Sequence, residues 1–435
     1  MAPIAGATAH RFDDPVFGGK AVVWEAGAQN QETVLLVHGI GGQGARDWAG
    51  FIPALASRYR LLIPDLPGFG ESTKGNQLYS PERYVGFLKH IVETRVTGRL
   101  HLIGHSMGGA ISLRYAGMYP RDVERLIAVD AAGVLHRVAY SEFLSAMGIR
   151  GLPFVFPGQD AHLRGRVNQL LAQIEAFNID AEALLHSAIL RENLLQGDPL
   201  KIAAFALALD DMSRILPSVR APTLLVWGEK DEIAPLRTGK MLAAVLPQAR
   251  LMVLPGAGHV PQRDDPRGFI AATMAHLNAP IESFAPMKTR AVVPVAASAR
   301  EERCEGTRGK TYSGRFKTLT LVRCSGAIVR AAQIDELRIV DSDVEIEDSD
   351  IVSSGTAVRI TDSQIRMTGT RIEGAVGIQA VSSQLDLAGV RIKAKGAGIE
   401  APMASSVVFS LSEIESAKTR KTLHSFRVVS PGAPL

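Results

Sequence analysis

Cysteine is scarce in this 435-residue chain, which contains only Cys304 and Cys324. Two cysteines cannot form a metal site of the paired-cysteine type, and their number leaves open whether they are free thiols or one disulfide. The sequence also lacks any run of about 18 apolar residues without a charge, which argues against a membrane-spanning helix. We therefore expect neither a metal site nor a membrane span.

Two further features are missing, a leader and a basic cluster. The first residues, MAPIAGATAHRFDD, have neither the basic start nor the apolar core of an intact signal peptide. We expect a cytoplasmic protein from the chain as given, and a periplasmic or secreted one if a leader was removed before residue 1. Because 48 basic residues are spread out and nearly balanced by 44 acidic ones, we predict a solvated surface without nucleic-acid binding.

The length and the 46% hydrophobic content indicate two domains with sizeable cores. Residues from about 20 to 280 alternate short apolar runs with helical stretches, which predicts an α/β fold with a mostly parallel, doubly wound sheet. The predicted strands are AVVWEAG (21–27), 33–39, 59–65, 100–105, 123–130, 221–228 and 249–256. The segment from about 134 to 219 has only helical patterns and is predicted to be a cap over the strand ends. We place this domain at 1–283 and a linker at 284–303.

The remaining domain, 304–435, is predicted to be all-β and repetitive. Aligned segments place isoleucines in two columns, the second at intervals of 21, 20 and 22 residues. The first column is Ile339, Ile360, Ile378 and Ile399, and the second is Ile351, Ile372, Ile392 and Ile414. A period near 21 with three short strands per repeat is typical of a parallel β-helix, the alternative being an ordinary β-sandwich. Cys304 and Cys324 are 20 residues apart, close to one coil.

The stretch LHLIGHSMGGAISL, residues 100–113, carries the main chemical signal. Ser106 stands in the pattern Gly-x-Ser-x-Gly where a buried strand gives way to a helix. Glycines two residues before and after permit the strained, crowded turn that lifts a serine hydroxyl clear of a sheet. The helix starting at Met107 directs its N-terminal dipole at a developing oxyanion. We predict that Ser106 is a nucleophile.

A serine nucleophile needs a histidine base oriented by a carboxylate, in the chain order Ser, Asp, His. Asp231 and His259 each follow a predicted strand, so both are expected at the same sheet edge as Ser106. Asp130, at the end of LIAVD, is a rival acid. His105 is expected to point away from the hydroxyl's partner, and His38 to brace its own loop. Other nearby carboxylates are assigned to helix capping, Asp264 and Asp265, or to solvent, Glu229 and Glu232.

Two backbone N–H groups are needed to hold the oxyanion. Met107 is predicted to supply one, and the loop VHGIGG (37–42) the other, with Ile40 as first choice and Gly41 as second. The turn DLPGFGES (65–72) lacks the Lys-Ser/Thr pair of a phosphate loop and is interpreted as structural.

Five motifs in this order resemble the α/β-hydrolase family: HGIGG, DLPGFGES, GHSMGG, WGEKDEIAP and GAGHVPQRDDP, over about residues 20–280. The resemblance implies a cofactor-free serine hydrolase with a helical cap over an acyl pocket. By this resemblance, the nucleophile is Ser106, the acid is Asp231 and the base is His259. Relatives that open epoxides or carbon–halogen bonds use an aspartate nucleophile, so the serine argues against those activities.

The first functional hypothesis is a carboxylic-ester hydrolase acting on a small-molecule ester or acyl compound. The cap residues Leu135, Phe143, Phe154, Phe156 and Phe205 favour an apolar pocket, although plain lid packing explains them equally well. Carbon–carbon hydrolysis of a diketone, thioester hydrolysis and acyl transfer use the same triad. A non-catalytic scaffold on a hydrolase fold is the alternative outside enzymes. The repeat domain is expected to bind a surface, mediate oligomerisation or cover the pocket.

Overall fold

A computed structural model describes residues 3–41, 43–139, 185–280, 300–417 and 419–435. The chain divides into two compact units, residues 1–239 with 246–286, and residues 240–245 with 287–435. No helix within the described ranges is long and apolar enough to cross a membrane.

The first unit contains one eight-stranded sheet in the order β1-β2-β4-β3-β5-β6-β7-β8. Its strands are β1 Thr8–Asp13, β2 Lys20–Ala26, β3 Thr33–Val37, β4 Arg60–Asp65, β5 Leu100–His105, β6 Val123–Val129, β7 Thr223–Gly228 and β8 Ala249–Leu254. Strands β4, β3, β5, β6, β7 and β8 pair in parallel, whereas β1 and β2 pair antiparallel at one edge. The prediction of a mostly parallel sheet is confirmed.

Continuous apolar runs form the centre of this sheet because helices cover both faces. Every residue of β3, β5 and β7 is buried. Strand β1 was not predicted, because its sequence TAHRFD has no buried residue and lies on the antiparallel edge. An edge strand of this kind leaves no apolar run for a sequence pattern to detect.

Helices alternate with these strands along the chain. They are α1 Ile52–Ala56, α2 Pro81–Arg95, α3 Met107–Met118, α4 Ala188–Leu195, α5 Pro199–Ala208, α6 Leu236–Val245, α7 Pro261–Asp264 and α8 Pro266–Asn278, with 3-10 turns at Gly44–Phe51 and Leu216–Ser218. Helix α2 shows why they begin where they do. Ser80 accepts the N–H of Arg83, and Pro81 occupies the first turn, where its missing N–H costs nothing.

The described part of the predicted cap, residues 134–139 and 185–219, contains no strand. Helices α4 and α5 begin at the capping side chains of Ser187 and Asp198. Leu135 and Phe205 are both buried. Phe143, Phe154 and Phe156 lie outside the described residues.

From residue 300 onward, the described chain forms only strands and turns. The strands are β9 Arg300–Glu305, β10 Thr311–Val322, β11 Ala327–Val340, β12 Asp343–Glu347, β13 Asp350–Val352, β14 Thr356–Thr361, β15 Gln364–Thr368, β16 Arg371–Gly374, β17 Val376–Val381, β18 Gln384–Ala388, β19 Arg391–Ala394, β20 Ile399–Glu400, β21 Ser405–Glu415 and β22 Arg420–Val429. Because β9 begins at Arg300, the described end of the segment predicted as a linker, 300–303, is a strand.

Three parallel ladders run through this region: β12-β15-β18-β21, β13-β16-β19-β21 and β11-β14-β17-β20. The second isoleucine column pairs as predicted, from Ile351 through Ile372 and Ile392 to Ile414. The first column is wrong at one step. Ile360 pairs with Ala380 instead of Ile378, because the two isoleucines are only 18 residues apart. Both positions point into the same core, so apolarity alone does not reveal the two-residue slip.

A column of serines joins successive repeats at a corner, and no sequence pattern indicated it. The N–H of Ser342 donates to Ser363 Oγ at 3.1 Å, and that of Ser363 donates to Ser383 Oγ at 3.2 Å. Each corner follows a residue with positive φ, such as Asp341 at 48° and Asp362 at 47°. Aspartate tolerates this backbone better than most residues, so the motif Asp-Ser recurs where the chain must turn. At the start of the region, Cys304 and Cys324 form a disulfide.

Replacing Ile372 with alanine should weaken this region strongly. Its side chain is fully buried between Ile351 and Ile392, and emptying such a site costs about 2–5 kcal/mol. We expect hydrogen exchange, followed by mass spectrometry, to show that loss in the opening free energy of peptides from residues 343–394. Arg366→Ala, at an exposed position of the same repeat, should leave those peptides protected. Equal exchange in both variants would contradict the ladder packing.

Candidate active site

Ser106 lies at a sharp turn between β5 and α3. Its φ of 55° and ψ of −119° fall outside the usual regions for an L-residue. A Cβ on Gly104 would come within 2.1 Å of the Gly108 carbonyl oxygen, and one on Gly108 within 2.3 Å of the Val37 carbonyl oxygen. Both glycines of the Gly-x-Ser-x-Gly pattern are therefore required by close backbone approach.

The structure brings together Ser106, His259 and Asp231 at the carboxyl edge of the sheet. His259 Nε2 lies 3.0 Å from Ser106 Oγ, and His259 Nδ1 lies 2.9 Å from Asp231 Oδ2. Asp231 Oδ1 accepts the N–H groups of Ile233 and Ala234 at 2.8 and 2.9 Å. Because a carboxylate can only accept, His259 donates from Nδ1 and keeps Nε2 free to accept the serine proton.

A cavity of about 420 Å³ adjoins this hydrogen-bonded chain. Its apolar lining includes Leu135, Ala204 and Leu207 from the cap side, and Ile233 and Val260 from the loops after β7 and β8. Phe205 does not line it, although its neighbour Ala204 does. Phe205 is therefore packing within the cap and not a wall of the described cavity.

The predicted oxyanion residues occupy two places beside Ser106. Ile40 and Gly41 line the same cavity as Ser106, on the loop after β3. A Cβ on Gly39 would lie only 2.9 Å from Ser106 Cβ, so this loop approaches the serine closely. Met107 is buried as the first residue of α3 and does not line the cavity with its side chain.

Three charged residues of the cavity were not singled out from the sequence: Asp47, Arg137 and Arg263. Burial raises the pKa of Asp47, and the charges of His38 and Arg263 oppose that shift. The only available signal was position, since Asp47 follows the HGIGG loop and Arg263 follows His259. A charged residue near a motif is too common to identify a lining residue.

His38 braces its own loop as predicted, whereas the prediction that His105 points away from the hydroxyl's partner is wrong, because His105 contacts His259. The Nε2 of His105 lies 2.7 Å from the carbonyl oxygen of His259 and therefore carries the proton that it donates there. Burial, together with the charge of the neighbouring His259, lowers the pKa of His105 to about 3. His38 donates from Nδ1 to the Gly39 carbonyl and accepts the Leu66 N–H at Nε2. Burial also lowers the pKa of His38.

The neutral His105 should make the first unit sensitive to acid. Between pH about 6.5 and about 3 the unfolded chain binds a proton at this site and the folded chain does not, so folding weakens as pH falls. His105→Gln keeps a donor and does not titrate. We expect urea unfolding, followed by fluorescence of the three tryptophans, to show a pH slope lower by up to about 1.4 kcal/mol per unit. An unchanged slope would contradict a neutral His105.

The acidic neighbours divide into separate roles. Asp130 does not contact His259; its Oδ1 accepts the Gly228 N–H at 2.9 Å. Asp265 caps α8 through the Gly268 N–H, as predicted. The prediction for Asp264 is wrong, because its carboxylate accepts the Gly258 N–H at 2.8 Å and supports the loop before His259. Glu229 and Glu232 are exposed.

The DLPGFGES turn is structural, as interpreted from the sequence. Asp65 accepts the Ala45 N–H at 2.7 Å, the Trp24 Nε1–H at 3.0 Å and the Glu71 N–H at 3.1 Å. These hydrogen bonds connect the turn to Ala45, which follows the HGIGG loop, and to Trp24 on β2. Within the described ranges, no group of three or more His, Cys, Asp or Glu side chains is arranged to hold a metal ion.

Comparison with known proteins shows the family of this chain. A family model of the alpha/beta hydrolase fold matches residues 32–266. Lipase 1 of Psychrobacter immobilis is 30% identical over 259 residues, which are 56% of this chain and 76% of that protein. A 2-hydroxy-6-oxo-6-phenylhexa-2,4-dienoate hydrolase of Burkholderia cepacia is 27% identical over 57% of this chain and 87% of its own. A membrane phospholipase A structure is 25% identical, with a TM-score of 0.48 over 63% of this chain and 86% of that one. The chain belongs to the α/β-hydrolase family.

Proposed function

We propose that this hydrolase cleaves a carboxylic ester through an acyl-enzyme on Ser106. The observation that carries the proposal is the hydrogen-bonded chain from Ser106 Oγ through His259 to Asp231, beside a cavity with mostly apolar walls. A serine hydroxyl is a weak nucleophile on its own, and an oriented histidine 3.0 Å away supplies the missing base.

In the proposed mechanism, His259 takes the Ser106 proton as Oγ attacks the ester carbonyl carbon. Asp231 holds the imidazole in the required tautomer and stabilises the imidazolium that forms. His259 then gives the proton to the leaving alcohol, and the acyl group stays on Ser106. In the second half, His259 takes a proton from water, the resulting attack releases the acid, and the proton returns to Ser106.

We propose the N–H groups of Met107 and Ile40 as the oxyanion donors, with Gly41 in place of Ile40 as second choice. Met107 is the first residue of α3, so its N–H has no partner within the helix. The close approach of the Gly39 loop to Ser106 supports a donor from that loop. Such donors are typically worth about a hundredfold or more in rate.

Carbon–carbon hydrolysis is the second candidate, and one observation favours it. Arg137 and Arg263 line an otherwise largely apolar cavity. The dienoate named in the Burkholderia cepacia relative carries a carboxylate, and two guanidinium groups would suit such a group. The same triad serves both reactions, so the substrate decides between them.

For the C-terminal region we propose a parallel β-helix with about 21 residues per coil, on a domain that begins near residue 300. The three parallel ladders and the serine column, which repeat at this interval, support the proposal. A β-sandwich would require mainly antiparallel pairs, and the antiparallel pair within the described part of this region is β21 with β22.

Initial rates on p-nitrophenyl esters of increasing acyl length, compared with rates on a 2-hydroxy-6-oxo-dienoate, test the proposal. We expect ester turnover with an optimum that fits a cavity of about 420 Å³. Arg263→Gln should leave the rate on uncharged esters within about threefold. Turnover of the dienoate alone, lost in Arg263→Gln, would replace the first candidate with the second.

A further inference from the structure

Asp130 is a buried carboxyl group that the proposed mechanism does not use. It follows β6, between the ends of β5 and β7, and its N–H donates to the Val226 carbonyl at 3.0 Å. Its side chain is fully buried. Oδ1 accepts the Gly228 N–H at 2.9 Å, whereas Oδ2 meets no N–H or O–H donor among the described residues. A buried carboxylate oxygen without a donor is costly, which calls for an explanation.

Asp130 and Asp231 meet at one residue, because Asp130 Oδ1 accepts the Gly228 N–H at 2.9 Å and the Asp231 N–H donates to the Gly228 carbonyl at 3.3 Å. Both side chains are buried there, and the charge of Asp231 acts on the carboxyl group of Asp130. Two adjacent carboxylates in a buried site cannot both be ionised, so one of them holds a proton. Asp231 already accepts three hydrogen bonds, from the N–H groups of Ile233 and Ala234 and from Nδ1–H of His259, so the proton is assigned to Asp130. Asp264 is a further negative group that acts on Asp130, and it also favours the neutral form of that carboxyl group.

We propose that Asp130 is a positioning residue: a neutral carboxylic acid whose O–H donates a hydrogen bond to Asp231 and holds that carboxylate toward His259. The inference rests on the proposed function, since it deepens the role of the same triad. It explains the missing donor at Oδ2, because a protonated Oδ2 is itself the donor.

The electrostatics agree with this assignment. Burial, followed by the charge of Asp231, raises the pKa of Asp130 well above its ordinary value, and the Gly228 N–H only partly opposes the shift. If Asp130 loses its proton in alkaline solution, Asp231 loses a donor and gains a negative neighbour. Activity should therefore fall on the alkaline side for a reason that lies in Asp130 and not in His259.

Two variants distinguish the role of a hydrogen-bond donor at position 130 from the role of a titrating carboxyl group. Asp130 has a φ of 42°, which asparagine and glycine both tolerate. Asp130→Asn keeps an acceptor for the Gly228 N–H and a non-titrating N–H donor for Asp231. Asp130→Gly removes both without backbone strain. Circular dichroism and thermal melting of the full chain establish that each variant is folded.

The first readout does not depend on activity. The infrared difference spectrum of the wild type minus Asp130→Asn at pH 7 should contain the carbonyl stretch of a protonated carboxylic acid. A carboxylate signal alone would overturn the proposal. Because this band needs no substrate, it decides the protonation state of Asp130 even if the chain proves to have no esterase activity, which would be a failure of the proposed function and not of this inference.

The second readout is the pH profile of kcat/KM on a p-nitrophenyl ester. We expect Asp130→Asn to stay within about threefold of the wild type near neutral pH and to lose the alkaline decline. Asp130→Gly should fall by about tenfold or more, since it leaves a buried acceptor without its donor. Equal activity of the glycine and asparagine variants, or an alkaline decline that persists in Asp130→Asn, would overturn the positioning role.

Discussion

Ser106→Ala should lower kcat on a p-nitrophenyl ester by about 10⁴- to 10⁶-fold, the largest effect of any single substitution in this chain. The change removes the atom that forms the acyl-enzyme, and the remaining oxyanion donors and cavity can only assist direct attack by water. The fold should survive, because alanine removes one oxygen at a turn whose shape is fixed by the flanking glycines.

A matched control for this result lies on the following helix. Ser112 is fully buried on α3, and its hydroxyl has no partner among the described residues. Ser112→Ala should keep wild-type kcat and thermal stability, since it removes an unpaired polar atom. If Ser106→Ala retained more than a tenth of the activity while Ser112→Ala was unchanged, the nucleophile would have to be another group.

Asp231→Asn should lower kcat by about 10⁴-fold and leave KM nearly unchanged. The amide oxygen would accept the N–H groups of Ile233 and Ala234, which turns the NH₂ group toward His259 Nδ1. His259 would then have to accept at Nδ1 and carry its proton at Nε2. In that tautomer it cannot take the proton of Ser106.

Glu232→Gln is the matched control for the acid, because it is the next residue on the same loop and is exposed. Its kcat should equal that of the wild type. A modest loss in Asp231→Asn, below about a hundredfold, would mean that another carboxylate supports His259. Asp130 is the rival acid of the sequence analysis, so the double variant Asp130→Asn/Asp231→Asn would then be the decisive comparison.

The sequence was sufficient to predict the parts of the fold that depend on buried runs and on strict backbone geometry. The central strands β3, β5 and β7 are continuous apolar segments. The glycines around Ser106 are required because a Cβ at either position would lie within 2.5 Å of a backbone oxygen. Since the carboxyl ends of parallel strands share one edge, residues that follow β5, β7 and β8 were expected to meet. Ser106, Asp231 and His259 do meet there.

The sequence was insufficient where a position depends on contacts between distant segments. The partner of Asp264 is the N–H of Gly258, not the end of a helix, and no local pattern distinguishes the two. Ile360 pairs with Ala380, two residues beyond Ile378, and both of these positions are apolar and buried, so the sequence does not distinguish them. Asp130 and Asp231 are 101 positions apart and follow β6 and β7, so their meeting at Gly228 becomes visible only when the sheet is assembled.

Covalent labelling shows whether Ser106 is an activated nucleophile. The intact protein would be treated with a fluorophosphonate probe, digested and examined by peptide mass spectrometry, with Asp231→Asn treated in parallel. We predict one phosphonylated site, Ser106, and much slower labelling in Asp231→Asn. Absence of labelling at Ser106 in the folded wild type, or equal labelling rates in the two proteins, would mean that Ser106 is not a nucleophile activated through Asp231.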